Sequence, residues 1–164
     1  MDKLATELLN LLREMLLMQQ QLLQIATARQ EAMRLFDLKR LQSLTELEHA
    51  ELQRAAKIET RRKALIFQLK AALGKGIEPT VTEIAKRTSE PTKSQLLALA
   101  SQLKAIVEQV DRTSRINAKV SETVMKGLAK VLKVVTGLAQ HAGLYMRNGR
   151  KAAMKGIHLL EITA

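Results

Sequence analysis

A hydrophobic repeat in the second half of the chain limits the possible folds more than any other feature. Leu96, Leu99, Leu103, Ile106, Val110, Thr113, Asn117, Val120, Val124, Gly127, Val131, Val134 and Leu138 follow one another at alternating spacings of three and four for six heptads. That rhythm places them on one narrow seam of an α-helix, and the natural partner of such a seam is another helix. A surface of this kind binds; it carries no chemistry of its own.

The first half repeats the pattern. Leu4, Leu8, Leu11, Met15, Met18, Leu22 and Ile25 keep the three-four rhythm, with Leu12, Leu16 and Leu23 widening the stripe. They predict a first helix from Lys3 to Leu35, ~48 Å long. Asp37 is placed to cap a second helix, Leu38 to Leu73, which stops at Gly74-Lys75-Gly76. The middle of that helix (Glu46, Glu48, His49, Glu51, Gln53, Arg54, Lys57, Glu59, Arg61, Arg62) is so polar that only a thin seam can be buried there. A loop to Pro79 follows, then a short helix capped by Thr80 or Thr82 and ending near Thr88. After the break at Ser89-Glu90-Pro91, a third long helix starts at Thr92, capped by Thr92 or Ser94, and reaches about Gln140.

The expected fold is therefore all-α, an antiparallel bundle of three long helices with a short connector helix and coiled-coil-like packing. With two Phe, one Tyr and no Trp among 164 residues, its core must be built from Leu, Ile, Val, Met and Ala. Residues 1–142 form the bundle domain. Residues 143–164 read as a flexible basic tail able to fold on binding. The third helix, ~73 Å if unbroken, is some 20 Å longer than either earlier one, so part of it should lack an intrachain partner. Gly127 and Gly137 lie in that stretch, each costing ~1 kcal/mol against Ala; local bending and close approach of a second backbone are both consistent with them.

Charge adds a second theme. The formal net charge is +11, and between Asp111 and Lys155 ten Lys and Arg face only Asp111 and Glu122. Arg112, Lys119, Lys126 and Lys133 recur every seven residues and form one basic stripe beside the seam. Such a stripe suits an acidic partner or a phosphate backbone, and also a plain solvated face. Residues 80–99 have the outline of a helix-turn-helix, making a DNA-binding regulator one alternative. Against it, the second helix offers one cation, Lys93, in its first turn and then runs into Leu-Leu-Ala-Leu-Ala. A structural coiled-coil dimer is the other alternative, and weak homodimerisation would suit an empty seam. On the seam itself Asn117 stands where an apolar residue is expected, as buried amides do when they fix register.

Several classes of function find no support. No phosphate loop, nucleophile elbow, metalloprotease helix or acid-base cluster is present, so neither catalysis nor a cofactor is expected. His158 and Glu161 are one turn apart, but two ligands do not define a metal site. The apolar run Leu8 to Leu23 is split by Arg13 and Glu14, with Gln19 to Gln21 following them, too short and polar to span a bilayer. The lack of cysteine fits a reducing cytoplasm.

The order of elements is informative in its own right. A Leu-rich first helix leads to a second opened by Phe36-Asp37-Leu38 and rich in Glu and Arg. A short Thr-Val-Thr-Glu-Ile-Ala helix follows, then a long helix carrying Ile116-Asn117-Ala118-Lys119-Val120 and an ending Tyr145-Met146-Arg147-Asn148-Gly149. This sequence resembles the FlgN-like flagellar export chaperones over nearly its whole length, with Ser114 and Met146 standing where that family often has a second Asn and a Gly. The resemblance implies a cytoplasmic protein that binds the terminal helices of hook-filament junction (hook-associated) proteins and delivers them to an export-gate component. It also implies that Asn117 and the seam after it hold cargo, and that Tyr145 contacts cargo or gate. The residues themselves extend this face to Val120, Val124, Leu128, Val131, Leu132, Val135 and Leu138, an apolar surface that a guest amphipathic helix would bury.

Overall fold

The computed structural model describes residues 1–74 and 76–142, with side chains described as far as Gly137. Four helices account for nearly all of it: α1 (Asp2–Arg34), α2 (Leu38–Leu73), α3 (Val81–Lys86) and α4 (Thr92–Ala142). Among the described residues there is no strand, and the all-α bundle expected from periodicity is what forms. The chain separates into two compact units, Met1–Val120 and Ser121–Ala164. The first contains α1, α2, α3 and the first part of α4. The described part of the second is the continuation of α4.

Local chemistry sets the helix ends. Asp37 Oδ1 accepts the Arg40 backbone N–H at 2.9 Å, satisfying one of the donors that a helix start leaves without a partner. At the other end of α2, Gly74 has φ +89°, a conformation that costs a residue with a Cβ dearly. Thr80 caps α3 by accepting from the Glu83 N–H at 3.1 Å. The start of α4 departs from expectation, since neither Thr92 nor Ser94 acts as the acceptor. Instead Glu90 Oε2 accepts from both the Ser94 N–H (3.2 Å) and the Ser94 hydroxyl (2.7 Å). A longer acidic side chain set further back reaches the same donor and adds a negative charge to the positive end of the helix.

The Ser94 hydroxyl, more than any other contact, holds the Glu90 carboxyl below its usual range, against an opposing desolvation and with the Ser94 N–H and Lys93 assisting. A depressed folded-state pKa stabilises above the unfolded value of about 4.3, and that stabilisation is lost as pH falls through the folded-state value. Glu90→Gln should therefore melt below the native chain at neutral pH and converge with it in acid, once the carboxyl is protonated in both states, as followed by circular dichroism. A constant gap at both pH values would assign the difference to something other than this carboxylate.

Polar contacts between helices fix direction and register. Arg61 grips Glu14 with two hydrogen bonds, 2.6 and 3.1 Å. Arg54 donates to Gln21 at 3.0 Å and Arg29 pairs with Glu48 at 2.7 Å. Numbers fall along α2 as they rise along α1, so the two are antiparallel. Arg13 donates to Gln95 at 3.1 Å and Asn117 to the Ala26 carbonyl at 2.8 Å, and here both numbers rise together. The α4 helix thus runs alongside α1 in the same direction, because α2 and α3 have returned the chain to the α1 N-terminus. Exposed pairs of this kind add little stability, typically below ~1 kcal/mol each; they select among registers.

Stability comes from an uneven core. Ala5, Leu8, Leu9, Leu11, Leu12 and Met18 of α1 meet Ile58, Leu65, Leu69 and Leu73 of α2, with Ile84 and Leu96 closing the cluster. Leu8, Leu9, Leu11 and Leu12 cover more than one face of α1, which fits a helix with neighbours on several sides. The polar middle of α2 buries only Leu44 before Ile58, the thin seam its sequence predicts. Towards the α1–α2 turn the buried residues of α1 shrink to Ala26, Ala32 and Met33.

Candidate partner-binding face

The seam of α4 changes character along its length. Leu96 is fully buried, and Leu99 and Leu103 pack against the core cluster. Ile106, Val110 and Thr113 are half-buried. Asn117 is 5% exposed, the last buried position on the seam within the described residues. Its Nδ2 donates to the Ala26 carbonyl, while its Oδ1 is buried without a hydrogen-bond partner among the described residues.

Beyond Asn117 the same spacing continues on exposed side chains. Val120 is partly exposed and Val124 half-buried, whereas Leu128, Val131, Leu132 and Val135 are each more than half exposed. At 100° per residue these six lie within one arc of the helix. The backbone of Leu138 continues α4, but its side chain lies outside the described residues, as does Tyr145 with all of 143–164. Met125 was missed from the sequence, and Val134 was read on the seam but not as part of this face. Met125 is 67% exposed and Val134 60%, and both widen the arc; the signal was there, since Met125 precedes Leu128 and Leu132 by three and seven, and Val134 follows Val131 by three.

Two glycines lie within this stretch of α4. The α4 helix passes through Gly127 and Gly137 without interruption. A Cβ at either would meet nothing within 4 Å, so each leaves room for an approaching backbone.

Charge is segregated on the same helix. Arg112, Lys119, Lys126 and Lys133 are all exposed and, by their spacing, lie on the side away from the apolar arc. Lys126 is engaged with Glu122 at 2.6 Å. Arg112 and Lys133 have no ion-pair partner among the described residues. The stripe, expected beside the seam, therefore lies opposite a guest helix on the apolar arc and faces solvent or a separate acidic partner.

The helix-turn-helix outline does not survive packing. Gln95, a supposed base reader, accepts from Arg13, and Leu96 beside it is the most deeply buried residue of α4. The connector α3 likewise inserts Ile84 and Ala85 into the core. A surface used to hold the bundle together is not free to enter a groove.

Among the described residues no group of three or more His, Cys, Asp or Glu could hold a metal ion. No described helix is long and apolar enough to cross a membrane. The described residues thus define an all-α helical-bundle protein with an apolar helix face displayed to solvent, a stripe of side chains and not a pocket. The chain matches the family model for FlgN protein over residues 1–153 and belongs to that family, one of flagellar export chaperones. Comparison with curated proteins and with solved structures gives no match.

Proposed function

We propose that this flagellar chaperone works in the cytoplasm by holding the terminal helices of hook-associated proteins on the exposed face of α4 and presenting them to an export-gate component. The observation that carries the reading is the run of solvent-exposed apolar side chains from Val120 to Val135 on a helix whose earlier seam is buried. Water-exposed Leu and Val at heptad spacing are a standing cost that a guest amphipathic helix removes. Burying one such side chain is worth ~1.5 to 3 kcal/mol, and several together outweigh the ordering of a few helical turns. Asn117 marks where the buried seam gives way to the open one. Tyr145 and the basic tail extend the reading towards gate contact and folding on binding.

The decisive experiment measures affinity for a synthetic terminal helix of a hook-associated protein by calorimetry. Val131→Asp places a charge in the middle of the arc, at a site 60% exposed, so helix content should be unchanged. Affinity should fall ~10- to 100-fold, the equivalent of about 1.5 to 3 kcal/mol. Unaltered binding would mean that the guest sits elsewhere. A self-association reading predicts instead that Val131→Asp abolishes dimers seen by sedimentation and that added helix leaves them intact.

A further inference from the structure

A second exposed apolar cluster lies outside the seam, at the turn joining α1 to α2. Leu35 is 59% exposed, Phe36 71% and Leu38 76%. Three large apolar side chains in four positions are therefore left in water at one tip. The turn is well formed: the Phe36 N–H donates to the Met33 carbonyl at 3.3 Å and the Asp37 N–H to the Ala32 carbonyl at 2.9 Å. Phe36 is also the one non-glycine residue with positive φ (+54°) among the described residues. A phenylalanine in a conformation that suits glycine or asparagine calls for a functional explanation. A hydrophobic residue just before an N-cap ordinarily packs on the first turn of its helix, but with 71% exposure that packing absorbs only a small part of the ring.

The surroundings are basic. Arg34, Lys39 and Arg40 flank the three apolar residues, and all are exposed. The carboxylate of Asp37 is turned to the Arg40 N–H as a cap, and Arg40 makes only a long pair with Glu31, 3.8 Å. Arg34 and Lys39 have no ion-pair partner among the described residues. We propose that this tip is a contact for an anionic lipid surface, with Leu35, Phe36 and Leu38 entering the interfacial layer and Arg34, Lys39 and Arg40 meeting the headgroups. Apolar side chains backed by cations are the pair of signals that reversible membrane attachment requires. An acidic peptide would satisfy the charges but needs a cleft for its own side chains. Two clefts described in the molecule are lined by residues such as Leu11, Leu65 and Gln68, or Phe67, Gly74 and Ile77, and include none of the tip. The proposal is independent of the α4 reading.

The chain has no Trp, so Phe36→Trp in the full-length protein provides a single reporter. Mixed with vesicles of phosphatidylcholine containing about one-third phosphatidylglycerol, its emission should shift to the blue, and about 0.5 M salt should reverse the shift. Pure phosphatidylcholine vesicles should give at least a tenfold weaker partition. Phe36→Gly accepts the positive φ without strain, so helix content and α4 guest binding should persist while vesicle partition falls about tenfold. Arg34→Gln with Lys39→Gln should weaken binding to the anionic vesicles alone. The proposal is overturned if the reporter does not shift on anionic vesicles. It is equally overturned if Phe36→Gly partitions like the native chain, which would move the contact to another basic surface, or if an acidic amphipathic peptide shifts the reporter and vesicles do not.

Discussion

Leu69→Ala is expected to lower the free energy of unfolding by about 2 to 5 kcal/mol, the largest stability loss we anticipate from any single truncation. Leu69 is fully buried and belongs to a cluster that joins α1, α2, α3 and the start of α4. Removing three carbons there forfeits their transfer energy and leaves a void. Collapse of that void is resisted, because the cross-links Arg61 to Glu14 and Arg13 to Gln95 hold the flanking helices in register. Urea titration followed by circular dichroism would show a lower midpoint at an unchanged slope. The matched control is Leu132→Ala on the exposed arc, where the side chain is 64% exposed and the change should stay within about 0.5 kcal/mol. Equal losses at the two positions would mean that the core has been misplaced.

Asn117→Asp is expected to cost about 3 kcal/mol at neutral pH, of the order seen when a buried charge lacks a partner, and to recover much of that loss in acid. The exchange is nearly isosteric, but it deletes the Nδ2 donor to the Ala26 carbonyl, 2.8 Å away. It also sets a carboxylate against that oxygen in a position 5% exposed. Burial and the facing carbonyl raise the folded-state pKa of such an acid above its unfolded value of about 3.9. Stability is therefore retained below the unfolded value and lost as pH rises through the folded one. The protonated acid can donate to Ala26 as the amide does. Asn117→Leu is the informative companion: it removes the unpartnered Oδ1 as well as the donor, so its stability should stay near native while the fixed alignment of α4 on α1 loosens. An Asn117→Asp variant whose stability did not change with pH would show that the position is open to water.

Much of the architecture was legible because each element carried its own local signal. The α2 helix begins and ends where Asp37 and Gly74 say it must, since caps depend on a few residues in sequence. The seam of α4 could be read residue by residue from its spacing. The cap of α4 was misjudged for a related reason: Ser94 is a good acceptor by type, yet Glu90 reaches the same donor from four residues back. Exposure was the harder quantity. Nothing in the spacing distinguishes Leu103 from Val131, although one packs on the core and the other stands in water. The tip at Phe36 was read as the opening of α2, and its 71% exposure is a tertiary fact.

By itself the sequence determined the number of helices, their approximate extents, the apolar seam and the existence of a basic stripe on α4, all consequences of helical periodicity and capping within a few residues. The tertiary structure alone decided that α4 runs parallel to α1 and that Asn117 bonds to Ala26. It alone decided that the open face begins after Asn117. These depend on where α2 and α3 return the chain and on which of many equivalent heptad positions find a neighbour, and a repeat that looks the same at every turn carries no record of that choice.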